Sequence, residues 1–395
     1  MERIFRAAQG GSSPRPAARF GGRVVRWVAL AAVGLLLAAC GTPAVPEGAD
    51  LATLPVGQWV RLPVGGETVC ADGSRYAAQV RRGTDDTELV VSFQGGGATW
   101  GEIEGADGWL QKEFLSELYY ERVRTVSGAG LSGPPDDDPL TAATQVVVSY
   151  CSGDVHWGDA FGVDAKGRPI EHRGVVNVEA VLGWLDEQGL APERLTLAGC
   201  SAGGYGALLW APSLVRLYPD AAPSLLIDAA LGVAQRPFVT GSVGLASWRV
   251  DRGFQANGRE DLLADINEDY FELLLAALAA EFGGPIGVAT TDRDGIQAAF
   301  HYLMGESPVV TAFRTADVDA WSAAAQDRIG RLNDIEGVST FVSDWGPALL
   351  PFAATGHCVT EHRDMWRDGM GDAFRAWWGE IRAGTAPASV DLRQP

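Results

Sequence analysis

Leu195-Thr196-Leu197-Ala198-Gly199-Cys200-Ser201-Ala202-Gly203-Gly204 decides the fold of this 395-residue chain. A short apolar run leads into a serine flanked by small residues, and small and apolar residues that suit a helix follow. This is the layout of a nucleophile on a strand–turn–helix elbow. The turn is sharp, and it must leave Ser201 exposed above the sheet while a backbone N–H points at the reacting carbonyl. The chemistry it points to is serine hydrolysis.

Elements upstream and downstream extend the pattern. Tyr76–Val80 reads as a strand, Gly83–Thr87 as a polar turn, and Leu89–Phe93 as a stronger strand. The latter runs into Gln94-Gly95-Gly96-Gly97-Ala98-Thr99-Trp100, which is not helix-forming. Residues 126–140 form a second Gly- and Pro-rich loop, followed by a strand at Gln145–Tyr150. Val175–Leu185 has helical periodicity. Leu225–Asp228 and Val338–Val342 are further strands, and residues 261–283 read as a long helical region, a cap or peripheral layer. Strands alternating with helices predict an α/β fold with a mostly parallel sheet covered on both faces. Residues 58–395 are read as a single domain.

Residues 1–39 read as an export signal. Arg15, Arg19, Arg23 and Arg26 precede the apolar run Trp27–Leu37, which is short for a membrane span. The run ends Leu37-Ala38-Ala39-Cys40, which resembles a bacterial lipoprotein cleavage site with Cys40 as the lipidated residue. The chain is then an exported lipoprotein held at a membrane facing the periplasm or cell exterior, without spanning it. Residues 40–57 become the lipidated cysteine and a flexible tether. Residues 1–39 carry six arginines and one glutamate, so their removal takes the formal charge from −19 to −24. So acidic a surface repels phosphate backbones, which excludes nucleic acid as an expected partner. It also makes demethylated pectate an awkward substrate. Four cysteines remain, Cys70, Cys151, Cys200 and Cys358, permitting three pairings. Cys200 and Cys358 flank two candidate catalytic residues and suit a bridge, which leaves Cys70 with Cys151. Buried thiols are the alternative.

A serine nucleophile needs a base, and the base needs an acid to orient it. Of the five histidines, His357 lies late in the chain beyond a predicted strand, as the last member of a Ser–Asp–His order requires. His362 is its local competitor; His156, His172 and His301 read as structural or substrate-facing. Spacing leaves the acid open among Asp292, Asp294 and Asp228, and either of the first two equally suits a helix cap. Gly95-Gly96-Gly97 supplies the remaining part. Its loop turns backbone N–H groups of Gly97 or Ala98, with that of Ala202, toward a tetrahedral oxygen.

Several segments together resemble the pectin acetylesterase and Notum carboxylesterase family. They are Cys70-Ala71-Asp72-Gly73-Ser74, Phe93-Gln94-Gly95-Gly96-Gly97, Tyr150-Cys151-Ser152-Gly153-Asp154-Val155-His156-Trp157-Gly158, Arg173-Gly174, the serine elbow, and Gly356-His357-Cys358. The resemblance spans roughly residues 65–360. It implies an α/β-hydrolase fold and a metal-free Ser–Asp–His triad whose acid stands in an Asp-x-x-Gln setting. Asp294-Gly295-Ile296-Gln297 fits that setting and Asp292 does not, so the resemblance selects Asp294. It also implies oxyanion donors at Gly97, Ala98 and Ala202, a pocket wall at Trp100, and substrate contacts from Tyr150, His156 and Trp157. Ala98-Thr99-Trp100 departs from the aromatic or cysteine that often follows the triple glycine, so the acyl pocket differs. The expected reaction is removal of acetyl or other short acyl groups from a polysaccharide such as pectin, or from a small ester.

Two other readings remain. Many apolar residues and a lipid anchor suit a lipid- or polyester-cleaving esterase, although thirteen tryptophans also serve simply as core. A non-catalytic surface-binding lipoprotein on the same scaffold is the third. No cofactor is expected: the triple glycine lacks the dinucleotide fingerprint and no His-Glu-x-x-His occurs. Asp136-Asp137-Asp138 reads as an exposed turn rather than a calcium site.

Overall fold

Residues 89–93 send alternate side chains into two separate cores. Leu89, Val91 and Phe93 join Leu195, Leu197, Leu225 and Ile227, whereas Val90 joins Ala198, Leu226, Ala289 and Phe341. A period of two puts these sets on opposite faces of one sheet. A strand buried on both faces must be apolar throughout, which is why these runs carry no clean polar alternation.

A computed structural model describes residues 42–100, 139–163, 169–241, 244–305, 316–345, 355–358, 360 and 369–393. Thr42–Pro395 form one unit. The strands are β1 (Trp59–Leu62), β2 (Ala78–Arg81), β3 (Asp85–Phe93), β4 (Ala143–Val148), β5 (Ala160–Val163), β6 (Pro169–His172), β7 (Arg194–Cys200), β8 (Ala222–Asp228), β9 (Ile286–Thr291), β10 (Val338–Ser343) and β11 (Val390–Asp391). The main sheet has the order β1-β2-β4-β3-β7-β8-β9-β10-β11, and β5 pairs with β6 as a separate hairpin. From β4 to β11 neighbouring strands are parallel; β1–β2 and β2–β4 are antiparallel.

The principal helices are α1 (Gly174–Glu187), α2 (Ala202–Leu217), α3 (Tyr270–Ala279), α4 (Gly295–Met304), α5 (Val318–Leu332) and α6 (Gly369–Arg382). Helices α1 and α2 bury Val178, Val181, Leu208 and Leu209 in the larger core. Helix α6 covers the other face with Phe374, Trp377, Trp378 and Ile381. The sheet is therefore mostly parallel and covered on both sides, as its apolar strands predict. Among the described residues, no helix is long and apolar enough to cross a membrane.

Three expectations need correction. Residues 42–57 are not a tether: Leu51 and Leu54 are buried, and Ala49 accepts a hydrogen bond from the Trp184 indole at 3.0 Å. Two leucines that can reach the α1 face gain more from burial than from solution, so the domain begins near Thr42 rather than at 58. The region 261–283 is not one helix but a 3-10 turn, Glu260–Asp265, followed by α3. The polar turn expected at 83–87 is shorter: residues 85–87 already belong to β3, with a register shift between Asp85 and Leu89. Strand β9 carries no separate expectation, because its Thr290-Thr291 end merges into the acidic segment that follows. Cys40, Asp136-Asp137-Asp138 and His362 lie outside the described residues.

Candidate active site

The elbow forms where β7 ends and α2 begins. Ser201 sits between them at φ 54°, ψ −126°, a strained conformation that costs on the order of 1–3 kcal/mol. A Cβ on Gly203 would overlap the Phe93 carbonyl of the neighbouring strand, so that position accepts only glycine. The Ser201 N–H donates to the Asp228 carbonyl at 2.9 Å, tying the elbow to the end of β8.

His357 reaches the same place from the other end of the chain. Its Nδ1 lies 2.7 Å from Asp294 Oδ2. A carboxylate oxygen accepts, so Nδ1 carries the proton and Nε2 is left as the basic nitrogen. Asp294 is the N-cap of α4: its Oδ1 accepts the Ile296 and Gln297 N–H groups at 2.9 and 3.0 Å. Oδ2 also accepts the Gln297 side-chain amide at 3.0 Å. Asp294 is fully buried, and four donors hold its carboxylate in place. The His357 segment is pinned in turn, because Thr291 Oγ1 donates to the Gly356 carbonyl at 2.6 Å.

The other candidate acids turn elsewhere. Asp292 accepts from Ser322 and Gln326 at 2.9 and 3.0 Å and pairs with Arg393. Asp228 Oδ2 accepts the Thr360 N–H and hydroxyl at 2.8 and 2.6 Å, while its Oδ1 has no hydrogen-bond partner among the described residues. His156, His172 and His301 point their ring N–H groups at the carbonyls of Gln94, Ser152 and Val233. Burial lowers the pKa of all three, that of His156 to about 4.

Burial raises the Asp228 carboxyl to about 6, with the Thr360 bonds and His357 pulling it down and Asp294 pushing it up. The fold thus favours the protonated form, so this group's stabilisation is complete below about pH 4 and is lost as pH rises through about 6. From an ordinary value of 3.8, that loss is about 3 kcal/mol. Asp228→Asn removes the titration. Its stability relative to the parent is expected to be about 3 kcal/mol more favourable at pH 8 than at pH 4, as urea unfolding measures. An unchanged difference between the two pH values would exclude a titrating Asp228.

Ser201 and His357 line one cavity together with Gly97, Ala98 and Ala202, the expected oxyanion donors. The cavity encloses about 650 Å³ counted out to its open mouth. Trp100 and Trp157 line it as expected. Tyr150 and His156 do not: each is 1% exposed and packed behind the glycine loop, so neither is a substrate contact. Phe238, Trp248 and Phe300 form walls for which the sequence carries no local signal. They stand on three separate segments, and Trp100 gathers them edge-on or tilted at centroid distances of 4.8, 6.5 and 6.4 Å.

Disulfides join Cys70 to Cys151 and Cys200 to Cys358, with Cα separations of 4.9 and 5.6 Å. The second fastens the residue before Ser201 to the residue after His357. Cys200, His357 and Cys358 offer ligand atoms within 4.8 Å of one another, but the two sulfurs are bonded to each other and provide no thiolate for a metal.

Residues 58–232 match the family model described as Pectinacetylesterase. Palmitoleoyl-protein carboxylesterase Notum of Homo sapiens is 30% identical over 144 residues, 35% of this chain and 28% of that protein. The match thus spans under a third of that relative's length. Two crystal forms of the Wnt deacylase Notum from Drosophila share the fold, with TM-scores of 0.57 and 0.53 at 18% and 17% identity. Each alignment covers 85% of this chain, and 97% and 96% of the respective Drosophila chains. Over residues 58–232 this chain is therefore similar to the pectin acetylesterase family, and it shares the α/β-hydrolase fold of the two Notum structures.

Proposed function

We propose that this protein is a serine carboxylesterase working through an acyl-enzyme. The observation that carries this reading is the His357–Asp294 pair opening onto the same cavity as an elbow serine and a glycine loop. Ser201 Oγ attacks the ester carbonyl carbon while His357 Nε2 takes its proton. The carbonyl oxygen becomes an oxyanion held by backbone N–H groups of Gly97, Ala98 and Ala202. The ester C–O bond then breaks, and His357 returns the proton to the departing alcohol. Water attacks the acyl-enzyme with His357 again as base, releasing the acid and restoring Ser201. Atoms balance as ester plus water giving acid plus alcohol.

The cavity wall supports an apolar acyl group rather than acetyl alone. Trp100, Phe238, Leu245, Trp248 and Phe300 present carbon surface beside Ser201, and two carbons would leave most of it uncovered. Each buried methylene contributes about 0.8 kcal/mol, or roughly fourfold in kcat/KM. On p-nitrophenyl esters, kcat/KM is expected to rise about fourfold per methylene from acetyl to hexanoyl. A maximum at acetyl, together with acetate release from acetylated pectin, would replace this reading with short-chain glycan deacetylation. The pectinacetylesterase match favours that second reading. Residues 1–39 support export, and Cys40 as a lipid anchor would hold the enzyme at a membrane surface. Mass spectrometry of the membrane-extracted N-terminus tests that assignment, and an unmodified Cys40 would refute it.

A further inference from the structure

Three consecutive glycines cannot fix their own peptide planes, because glycine crosses between negative and positive φ at little cost. Gly97 sits at φ 76°. The direction of the N–H groups in this loop must therefore be imposed from outside, and the segment behind it grips it repeatedly. His156 Nε2 donates to the Gln94 carbonyl at 2.9 Å, and the Gln94 side chain accepts the Tyr150 N–H at 3.1 Å. The Thr99 N–H donates to the Gly153 carbonyl at 2.8 Å, and the Trp248 indole donates to the Thr99 carbonyl at 2.6 Å.

Between these anchors, the Tyr150 hydroxyl donates to the Gly97 carbonyl at 2.8 Å. The same hydroxyl oxygen accepts the Val155 N–H at 2.9 Å, which directs the single phenolic proton toward Gly97. In a trans peptide the carbonyl and the next N–H point in opposite directions. Holding the Gly97 carbonyl toward Tyr150 therefore turns the Ala98 N–H away from the tyrosine. Gly97 and Ala98 are also the loop residues that line the cavity beside Ser201.

The support behind Tyr150 is itself built. Val155 and His156 both adopt left-handed backbone, at φ 51° and 68°. They are kept there by Asp154, whose buried carboxylate accepts the Ser152 hydroxyl at 2.6 Å and the His156 N–H at 3.1 Å. Its other oxygen accepts the Gly174 N–H at 2.8 Å, at the start of α1. A continuous chain of hydrogen bonds thus runs from the N-terminus of α1 through Asp154, the 154–156 turn and Tyr150 to the Gly97–Ala98 peptide.

We infer that Tyr150 is a positioning residue that sets the Gly97–Ala98 peptide plane and so aims the Ala98 N–H at the oxyanion. The inference rests on the acyl-enzyme reading above. Tyr150→Phe keeps the buried ring and removes the tie. Expected is a fall in kcat of about 10- to 100-fold, with KM changed less than about twofold, since the donor acts on charge that exists only in the transition state. A trifluoromethyl ketone, whose adduct on Ser201 carries that charge, is expected to lose affinity by the same factor as kcat/KM. A merely structural role would lower the folded fraction, so kcat is expressed per site counted by fluorophosphonate labelling.

Ser201→Ala is assayed beside it. Full activity in that variant would sink the acyl-enzyme reading itself. An inactive Ser201→Ala with a folded Tyr150→Phe that keeps parental kcat and inhibitor affinity would overturn the role of Tyr150 alone. Should Tyr150→Phe not fold, 3,5-difluorotyrosine at 150, a more acidic phenol of similar size, replaces it. Its stronger hydrogen-bond donation must then change kcat and trifluoromethyl-ketone affinity by the same factor, and unchanged values of both overturn the inference.

Discussion

Ser201→Ala is expected to lower kcat on a p-nitrophenyl ester by about 10⁴- to 10⁶-fold while leaving the thermal midpoint nearly unchanged. The hydroxyl is the atom that forms the acyl bond, and no neighbouring group can replace it. The residual rate comes from the oxyanion donors and substrate binding, which the substitution leaves in place. Stability should hold because Ser201 caps nothing with its side chain and alanine keeps the Cβ. Ser201→Gly separates the two properties further. It is equally inactive, yet it relieves the backbone at φ 54°, a strain on the order of 1–3 kcal/mol that exceeds the added unfolded-state entropy of glycine, about 0.5–1 kcal/mol. Urea unfolding should therefore find the glycine variant more stable than the alanine variant by about 1 kcal/mol. A loss of activity below tenfold in folded Ser201→Ala would remove Ser201 from the chemistry.

Asp294→Asn is expected to cost about 10⁴-fold in kcat with the fold intact. Asparagine is as good an N-cap as aspartate, so its carbonyl still accepts the Ile296 and Gln297 N–H groups at the head of α4. Its amide, however, stands where Oδ2 accepted His357 Nδ1. Facing a donor, the ring takes the other tautomer and carries its proton on Nε2, so it can no longer accept one from Ser201. The readout is kcat beside the thermal midpoint. Asp292→Asn and Asp228→Asn should each leave kcat within about tenfold, since neither carboxylate is hydrogen-bonded to His357. A drop confined to Asp292→Asn would reassign the acid.

The three acids show where sequence reading stops. Asp292 and Asp294 lie two residues apart in the same polar segment, and each can cap a helix. Past the end of β9 the chain turns, sending Asp292 toward α5 and Arg393 and Asp294 toward His357. Only the Asp-x-x-Gln setting hinted at the difference, and Gln297 proves to donate to Asp294 itself. Tyr150 illustrates the converse. An aromatic residue beside a glycine-rich motif reads the same whether it faces substrate or supports the loop, and only burial and the Gly97 bond distinguish the two.

The sequence by itself determined the elbow, the glycine loop and the α/β class. Each depends on contiguous residues whose backbone needs are local: small neighbours around Ser201, freedom of φ after β3, and unbroken apolar runs for strands buried on both faces. Tertiary structure alone decided that Asp292 and Asp228 turn away from His357, that Phe238, Trp248 and Phe300 wall the cavity, and that residues 42–57 belong to the domain. Those outcomes depend on side chains meeting across scores of residues of chain. A hydrogen bond or a buried contact forms only where two segments converge, and local spacing carries no information about that convergence.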